Sequence, residues 1–267
     1  MSEHQLRHAA IFSTLPSISH FVFDSAYVEE DRFMRQKIYA LRYEVYCLER
    51  NFLPAENYPD GLEFDEYDSY STLFAASTHA DEVIGTARLI LCPENLPFPF
   101  ETHCNVLHER IALPPKHECG EVSRLIVHKN YRRRSGDSME GVPREFILNT
   151  LPAARANESP PQPERRINSP EIMLGLYRQM YHYSLKAGVR YWYAAMERSL
   201  ARVLRGFNFT FKPIGSESNY YGPVTPYIAD LRELEDNLRA RNPALLAWFT
   251  PNGNHREAGR QGEQRVY

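Results

Sequence analysis

Four clusters in which arginine and carboxylate alternate follow one another along the first half of the chain. They are Arg42…Tyr46…Phe52, then Glu63-Phe64-Asp65-Glu66-Tyr67-Asp68, then Gly85-Thr86-Ala87-Arg88, then Glu121-Val122-Ser123-Arg124. Two of them sit inside or against apolar, strand-like runs. An isolated buried ion is too costly to keep, so charges placed this way must be paired or put to chemical use. On a strand, Glu121 and Ser123 share one face, and Val122 and Arg124 the other. A carboxylate beside an amine could take its proton, directly or through water, as the amine attacks a thioester carbonyl. Glu121 is the candidate for that work. It could also pair with a cation and hold neighbouring strands, and Arg124 has the same alternative.

The acidic run has several readings. An EF-hand needs oxygen ligands at alternate positions, a central glycine and a terminal glutamate. Here Gly61 precedes the run and that frame is missing, so no calcium site is expected. Asp65 and Asp68 are three residues apart and can both meet arginines, for which Arg42 and Arg88 are the candidates. The run is then an ion-pair network closing a loop over a sheet, or else a solvated loop face. The stretch Asn130–Asp137 holds Arg132, Arg133 and Arg134 with one glycine. Backbone amides at a glycine-containing helix start can cradle phosphate, but no helix pattern begins at once after it. These arginines could instead meet an acidic carrier protein, or be solvated at the start of a linker.

The elements that must position these groups can be read from periodicity. Residues 20–23 suggest a short first strand. From Glu29 to Asn51 apolar residues recur at near-helical intervals, predicting one or two helices. Strands are predicted over Ser71–Thr78 and Glu82–Cys92 as a hairpin, and over Glu118–His128. Residues 93–99 read as a proline-rich loop. Ser169-Pro170-Glu171 is an N-cap with proline at the first helical position, and Gly188 lies just past the predicted helix end. Residues 191–196 are a strand and 199–205 a short helix. Strands at 207–214 and 226–231 and C-terminal helices over 232–250 complete the pattern. The aromatics dense in the second half, Tyr193 among them, read chiefly as core.

This order predicts an α/β (α+β) fold in one domain over 20–231. Residues 1–19 read as a leader, 132–169 as an inserted flexible loop with a brief helical turn at 145–151, and 251–267 as a polar tail. A formal charge of -3 disfavours a general nucleic-acid binder, which needs a basic face. The cysteines at 47, 92, 104 and 119 have no zinc-type spacing and read as reduced thiols. No signal pattern opens the chain, and no apolar run approaches the roughly 20 residues of a spanning helix. A cytoplasmic protein without a transmembrane segment is expected. His103, His108, His117 and His128 show no nucleophile or metal spacing and read as incidental. No metal is expected, and no nucleophile elbow, Walker loop or dinucleotide fingerprint is present.

Taken in order, the four clusters resemble those of the acyl-homoserine lactone (autoinducer) synthases and their N-acyl amino acid synthase relatives. That family has an arginine, an aromatic four residues on and a tryptophan six beyond, where this chain has Arg42, Tyr46 and Phe52. Its aspartate pair is matched by Asp65 and Asp68, its Gly-x-x-Arg by Gly85 and Arg88, a later aromatic by Phe100, and its Glu-x-Ser-Arg by Glu121, Ser123 and Arg124. The match covers roughly residues 20–130. Two departures stand out: Phe52 replaces the tryptophan, and the Pro-Thr that follows the arginine in the family is missing after Arg88. The longer build is more similar to the N-acyl amino acid synthases, especially the acyltransferases associated with the bacterial PEP-CTERM/exosortase system.

The resemblance implies the GNAT fold, a mixed, mostly antiparallel central sheet flanked by helices. Two parallel strands in it, here 121–128 and 190–196, splay around the thioester's pantetheine. It implies that Arg42, Phe52, Asp65 and Asp68 shape an N-terminal lid and acceptor site, with Ser123 on the substrate side. Arg88, Glu121 and Arg124 would form the charged network at the reaction centre, and Arg132, Arg133 and Arg134 the contact with carrier or pantetheine. The expected activity is N-acyl transfer from acyl carrier protein or acyl-CoA, as co-substrate rather than resident cofactor, to the amine of an amino acid or related metabolite. The alternatives are a lactone synthase using S-adenosylmethionine and a non-catalytic module that binds acyl carrier protein.

Overall fold

The structure, a computed structural model, describes residues 21–26, 32–104, 112–132 and 169–250. The expected leader, the insertion beyond 132 with its helical turn, and the polar tail lie outside the described residues. Among the described residues there are eight strands: β1 (Val22–Ala26), β2 (Ser71–Ser77), β3 (Val83–Ile90), β4 (Cys119–Val127), β5 (Tyr191–Met196), β6 (Lys212–Pro213), β7 (Ser218–Asn219) and β8 (Pro223–Asp230). The helices are α1 (Arg32–Tyr43), α2 (Pro99–His103), α3 (Ser169–Ala187), α4 (Arg198–Gly206), α5 (Leu231–Arg241) and α6 (Pro243–Phe249). Hydrogen bonding runs in the order β1-β2-β3-β4-β5-β8-β6, with β7 on β8. The mixed α/β fold expected from the sequence is the fold observed. The described residues fall into two compact units, one from 21–90, 123–132 and 169–179, the other from 91–122 and 180–250.

In the first unit β2 pairs antiparallel with both β1 and β3. Both β2 and β3 are buried along their whole length. Their sequences are accordingly near-continuous apolar runs rather than alternating ones. Met34, Ile38, Leu41 and Val45 recur at helical spacing and put one face of α1 and its extension onto Leu73, Ala75, Val83 and Ile126. The helix does not stop at Tyr43. It continues as a π-helical turn over Glu44–Glu49, closed by the Arg50 amide donating to the Val45 carbonyl at 2.9 Å. Glycine at 85 is required by contact: a Cβ there would lie 2.6 Å from Ile172 of α3.

In the second unit β4 pairs parallel with β5 over Cys119↔Tyr191, Gly120↔Trp192 and Glu121↔Tyr193, and β8 pairs antiparallel with β5 and β6. Trp192, fully buried, donates its indole N–H to Ser184 Oγ at 2.9 Å, fixing β5 against α3. Gly188 takes φ +73 just past α3, the left-handed residue expected there. Two expectations are corrected. The strand predicted over 207–214 shrinks to Lys212–Pro213, because the Phe207 and Phe209 amides bond the carbonyl of Leu204 at the end of α4. Phe209 and Phe211 are buried, so this aromatic run serves the core instead of a ladder. The proline-rich loop gives way to a helix one residue earlier than its expected end. α2 starts at Pro99, where a missing N–H costs nothing, and the Glu101 carboxylate accepts the Phe98 amide at 2.7 Å.

Candidate active site

The first unit gathers three of the four clusters, with the Ser123-Arg124 half of the fourth, into one network of three guanidiniums and three carboxylates. Arg42 comes from the last turn of α1, where the helical face that carries Leu41 is already buried. Its Nε bonds Glu63, and its Nη1 and Nη2 take both oxygens of Asp68 at 2.7 and 3.1 Å. Arg88, on β3, reaches Asp65 Oδ1 at 2.5 Å and Asp68 Oδ1 at 3.1 Å, and its Nε donates to Ser123 Oγ at 2.9 Å. Arg124 Nη2 lies 2.9 Å from both Glu63 Oε1 and Asp65 Oδ2, and its guanidinium sits over the Tyr46 ring. The Phe52 ring packs against Tyr46, with centroids 6.1 Å apart.

The acid run supplies its carboxylates from a tight local frame. Asp65 caps a 3-10 turn over Glu66–Tyr70, accepting the Tyr67 amide at 3.0 Å, while Asp68 reaches back to the Asp65 amide at 2.8 Å. Glu63 is anchored by its own amide, which donates to the Tyr39 carbonyl at 3.1 Å. Burial works to raise the Asp68 carboxyl, but Arg42 and Arg88 outweigh it and hold it at about 2. Glu63 is likewise lowered against burial, by Arg124 and Arg42. Burial works to lower the Arg42 and Arg124 guanidiniums, and their carboxylates outweigh it and raise them. All six groups act as one locked, charge-balanced body.

Simple strand alternation predicts Ser123 and Arg124 on opposite faces, and this is not observed. Arg124 takes φ +51, a left-handed conformation within β4 that L-residues rarely adopt. The backbone turns there, and both side chains enter the same network. Glu63, the hub that binds both Arg42 and Arg124, is absent from the residues singled out by sequence. The signal was its place at the head of the acidic run.

Glu121 belongs to the second unit and has different company. Its side chain is 2% exposed, and Oε2 accepts the Phe100 amide at 3.0 Å. Tyr193 is its register partner on β5. The Tyr193 ring packs on Phe100 at 4.5 Å and on Phe98 at 5.6 Å between centroids. Burial first, and then the Glu121 charge, push the Cys104 thiol up to about 11. Cys104 and the other three cysteines are free thiols and buried. Arg132 binds Glu49 through both Nη atoms, with Nη2–Oε2 at 2.9 Å. Arg133, Arg134 and His108 lie outside the described residues. Among the described residues no group of three or more histidines, cysteines or carboxylates is set to hold a metal, and no helix is long and apolar enough to cross a membrane.

Residues 41–140 match the family described as "Acetyltransferase (GNAT) domain". No curated protein matches the chain. Among solved structures, TofI in a ternary complex with an inhibitor and MTA is 15% identical, with a TM-score of 0.55 over 84% of this chain and 95% of TofI. The AHL synthase LasI is 14% identical, with a TM-score of 0.54 over 86% of this chain and 96% of LasI. FeeM, an N-acyl amino acid synthase from uncultured soil microbes, is 12% identical at a TM-score of 0.41 over 81% of this chain and 94% of FeeM, too distant to bear on the fold. The matched residues hold Arg42, the acidic run, Arg88 and the Glu121–Arg124 segment, and the chain shares the fold of TofI and LasI.

Proposed function

We propose that the protein moves a fatty acyl group from an acyl thioester, carried by acyl carrier protein, to the amine of an amino acid or related metabolite. The observation that carries this reading is Glu121, a carboxylate buried at the last parallel β4–β5 pair and oriented by the Phe100 N–H. The amine nitrogen forms a bond to the thioester carbonyl carbon and gives its proton to Glu121, directly or through one water. Backbone N–H groups of β4 polarise the carbonyl oxygen as it becomes an oxyanion. The C–S bond then breaks, the proton passes to the departing sulfur, and an amide remains. The locked network of Arg42, Asp65, Asp68, Arg88 and Arg124 serves as a scaffold rather than exchanging protons. Contact with an acidic carrier is assigned to Arg132, which also binds Glu49, with Arg133 and Arg134.

A lactone synthase using S-adenosylmethionine is the second reading, favoured by the alignment of LasI over nearly its full length. Phe52 in place of tryptophan, and Leu89-Ile90 after Arg88 in place of Pro-Thr, favour a different acceptor. The test offers octanoyl, dodecanoyl and hexadecanoyl thioesters of acyl carrier protein and of coenzyme A to the full chain. Mixed amino acids and S-adenosylmethionine are the acceptors, and products are read by mass spectrometry. N-acyl amino acids are expected. An acyl-homoserine lactone would establish the second reading, and full activity in Glu121→Gln would remove Glu121 as the base.

A further inference from the structure

Helix α2 is five residues long, too short to hold itself by its own hydrogen bonds. Its pose is set from outside, at both ends. At the first turn the Phe100 amide is spent on Glu121. At the last turn His103 lies flat against Tyr220, with ring centroids 4.2 Å apart and planes 9° from parallel. Tyr220 stands at the tip of the hairpin joining β7 to β8, where Ser218↔Val224 and Asn219↔Pro223 are paired. That tip carries two consecutive left-handed residues, Tyr221 at φ +53 and Gly222 at φ +107, and is closed by the Tyr220 amide donating to the Gly222 carbonyl at 2.9 Å. The Tyr221 ring lies tilted against Tyr220, with centroids 4.6 Å apart and planes 36° from parallel. A non-glycine residue held at positive φ is maintained only when its surroundings determine it. Here the consequence of the strained turn is an aromatic ladder, Tyr221–Tyr220–His103, braced against the end of α2.

We infer that His103 and Tyr220 are positioning residues for Glu121: the hairpin tip holds α2 in the one pose that brings the Phe100 N–H to the carboxylate. Three residues separate the stack from the hydrogen bond, so a shift of the last turn is passed to the first through a single helical turn. The kinetic half of this inference rests on the reading of Glu121 as the base; the structural half does not. Tyr220→Ala removes the stack, and Tyr220→Phe keeps it without the hydroxyl.

Amide hydrogen exchange followed by NMR on the full chain needs no substrate. In Tyr220→Ala, exchange at Phe100 and through Cys104 rises at least tenfold, while amides of β5 keep their wild-type rates. In Tyr220→Phe both stay at wild-type rates. For the thioester and amine that turn over in the wild-type protein, Tyr220→Ala lowers kcat about tenfold with KM within twofold, and Tyr220→Phe restores kcat. Unchanged exchange at Phe100 in Tyr220→Ala overturns the inference whatever the activity. So does a rise spread evenly over β5 and α2, which marks a general brace. Faster exchange at Phe100 with kcat untouched leaves the clamp in place and instead counts against Glu121 as the base.

Discussion

Glu63 and Glu121 are buried almost equally, at 0% and 2% exposure, yet their surroundings differ in kind. Glu63 has Arg42 and Arg124 on its oxygens, within a body in which each guanidinium is met by carboxylate. Glu121 takes a peptide N–H from Phe100 of α2, whose ring packs on that of Tyr193, the register partner of Glu121. Opposite charge fixes a group's ionisation as well as its place. A peptide N–H orients a carboxylate through its dipole. The first arrangement suits a scaffold, the second a group that must exchange a proton.

This contrast can be broken most sharply at Glu121. Glu121→Gln keeps the shape and the bond from Phe100 but removes the basic oxygen. Acyl transfer should fall about a hundred- to ten-thousand-fold, with the thermal midpoint nearly unmoved. Arg42→Ala should do the reverse. It leaves Glu63 and Asp68 buried beside a missing cation, at a cost of roughly 3–5 kcal/mol in urea unfolding. A stable Arg42→Ala protein would put Arg42 outside the scaffold.

Acid offers a gentler test. Asp68 has a depressed folded pKa, so its contribution is complete above the ordinary carboxylate value of about 4. It is lost as pH falls through the folded value of about 2. Urea unfolding compared across that window should show roughly 2 kcal/mol lost from Asp68 alone. Removal of this loss in Arg42→Ala would tie it to the pair. The smallest effect is expected at Ser123, whose hydroxyl accepts from Arg88 Nε. Ser123→Ala should cost about 1 kcal/mol of stability and leave KM unchanged. A raised KM with unchanged stability would move Ser123 to the substrate side.

Much of the scaffold was legible because it follows from local rules. The glycine past the end of α3 and the apolar runs of β2 and β3 are written in residue type, and the Asp65/Asp68 spacing predicted their arginines. What escaped depends on tertiary context. Arg124 bears no mark of its left-handed backbone, which goes with side-chain contacts to Glu63, Asp65 and Tyr46. Helix α2 is too short to show a period, and its partners, Glu121 and Tyr220, lie far along the chain. The 207–214 run looks like a strand because buried aromatics suit both a ladder and a core.

The balance of three positive and three negative groups in the first unit has an effect on its response to the medium. A set of charges that sums to zero presents little net field a few ångströms away, and groups shut from water are screened little by dissolved ions. Exposed pairs such as Lys129 with Glu44 and Lys212 with Glu233 should loosen as salt rises. The sextet, buried apart from the partly exposed Asp65, should loosen far less. Across swings in ionic strength that erase surface electrostatics, the geometry around Arg42 is the part of this protein that stays the same.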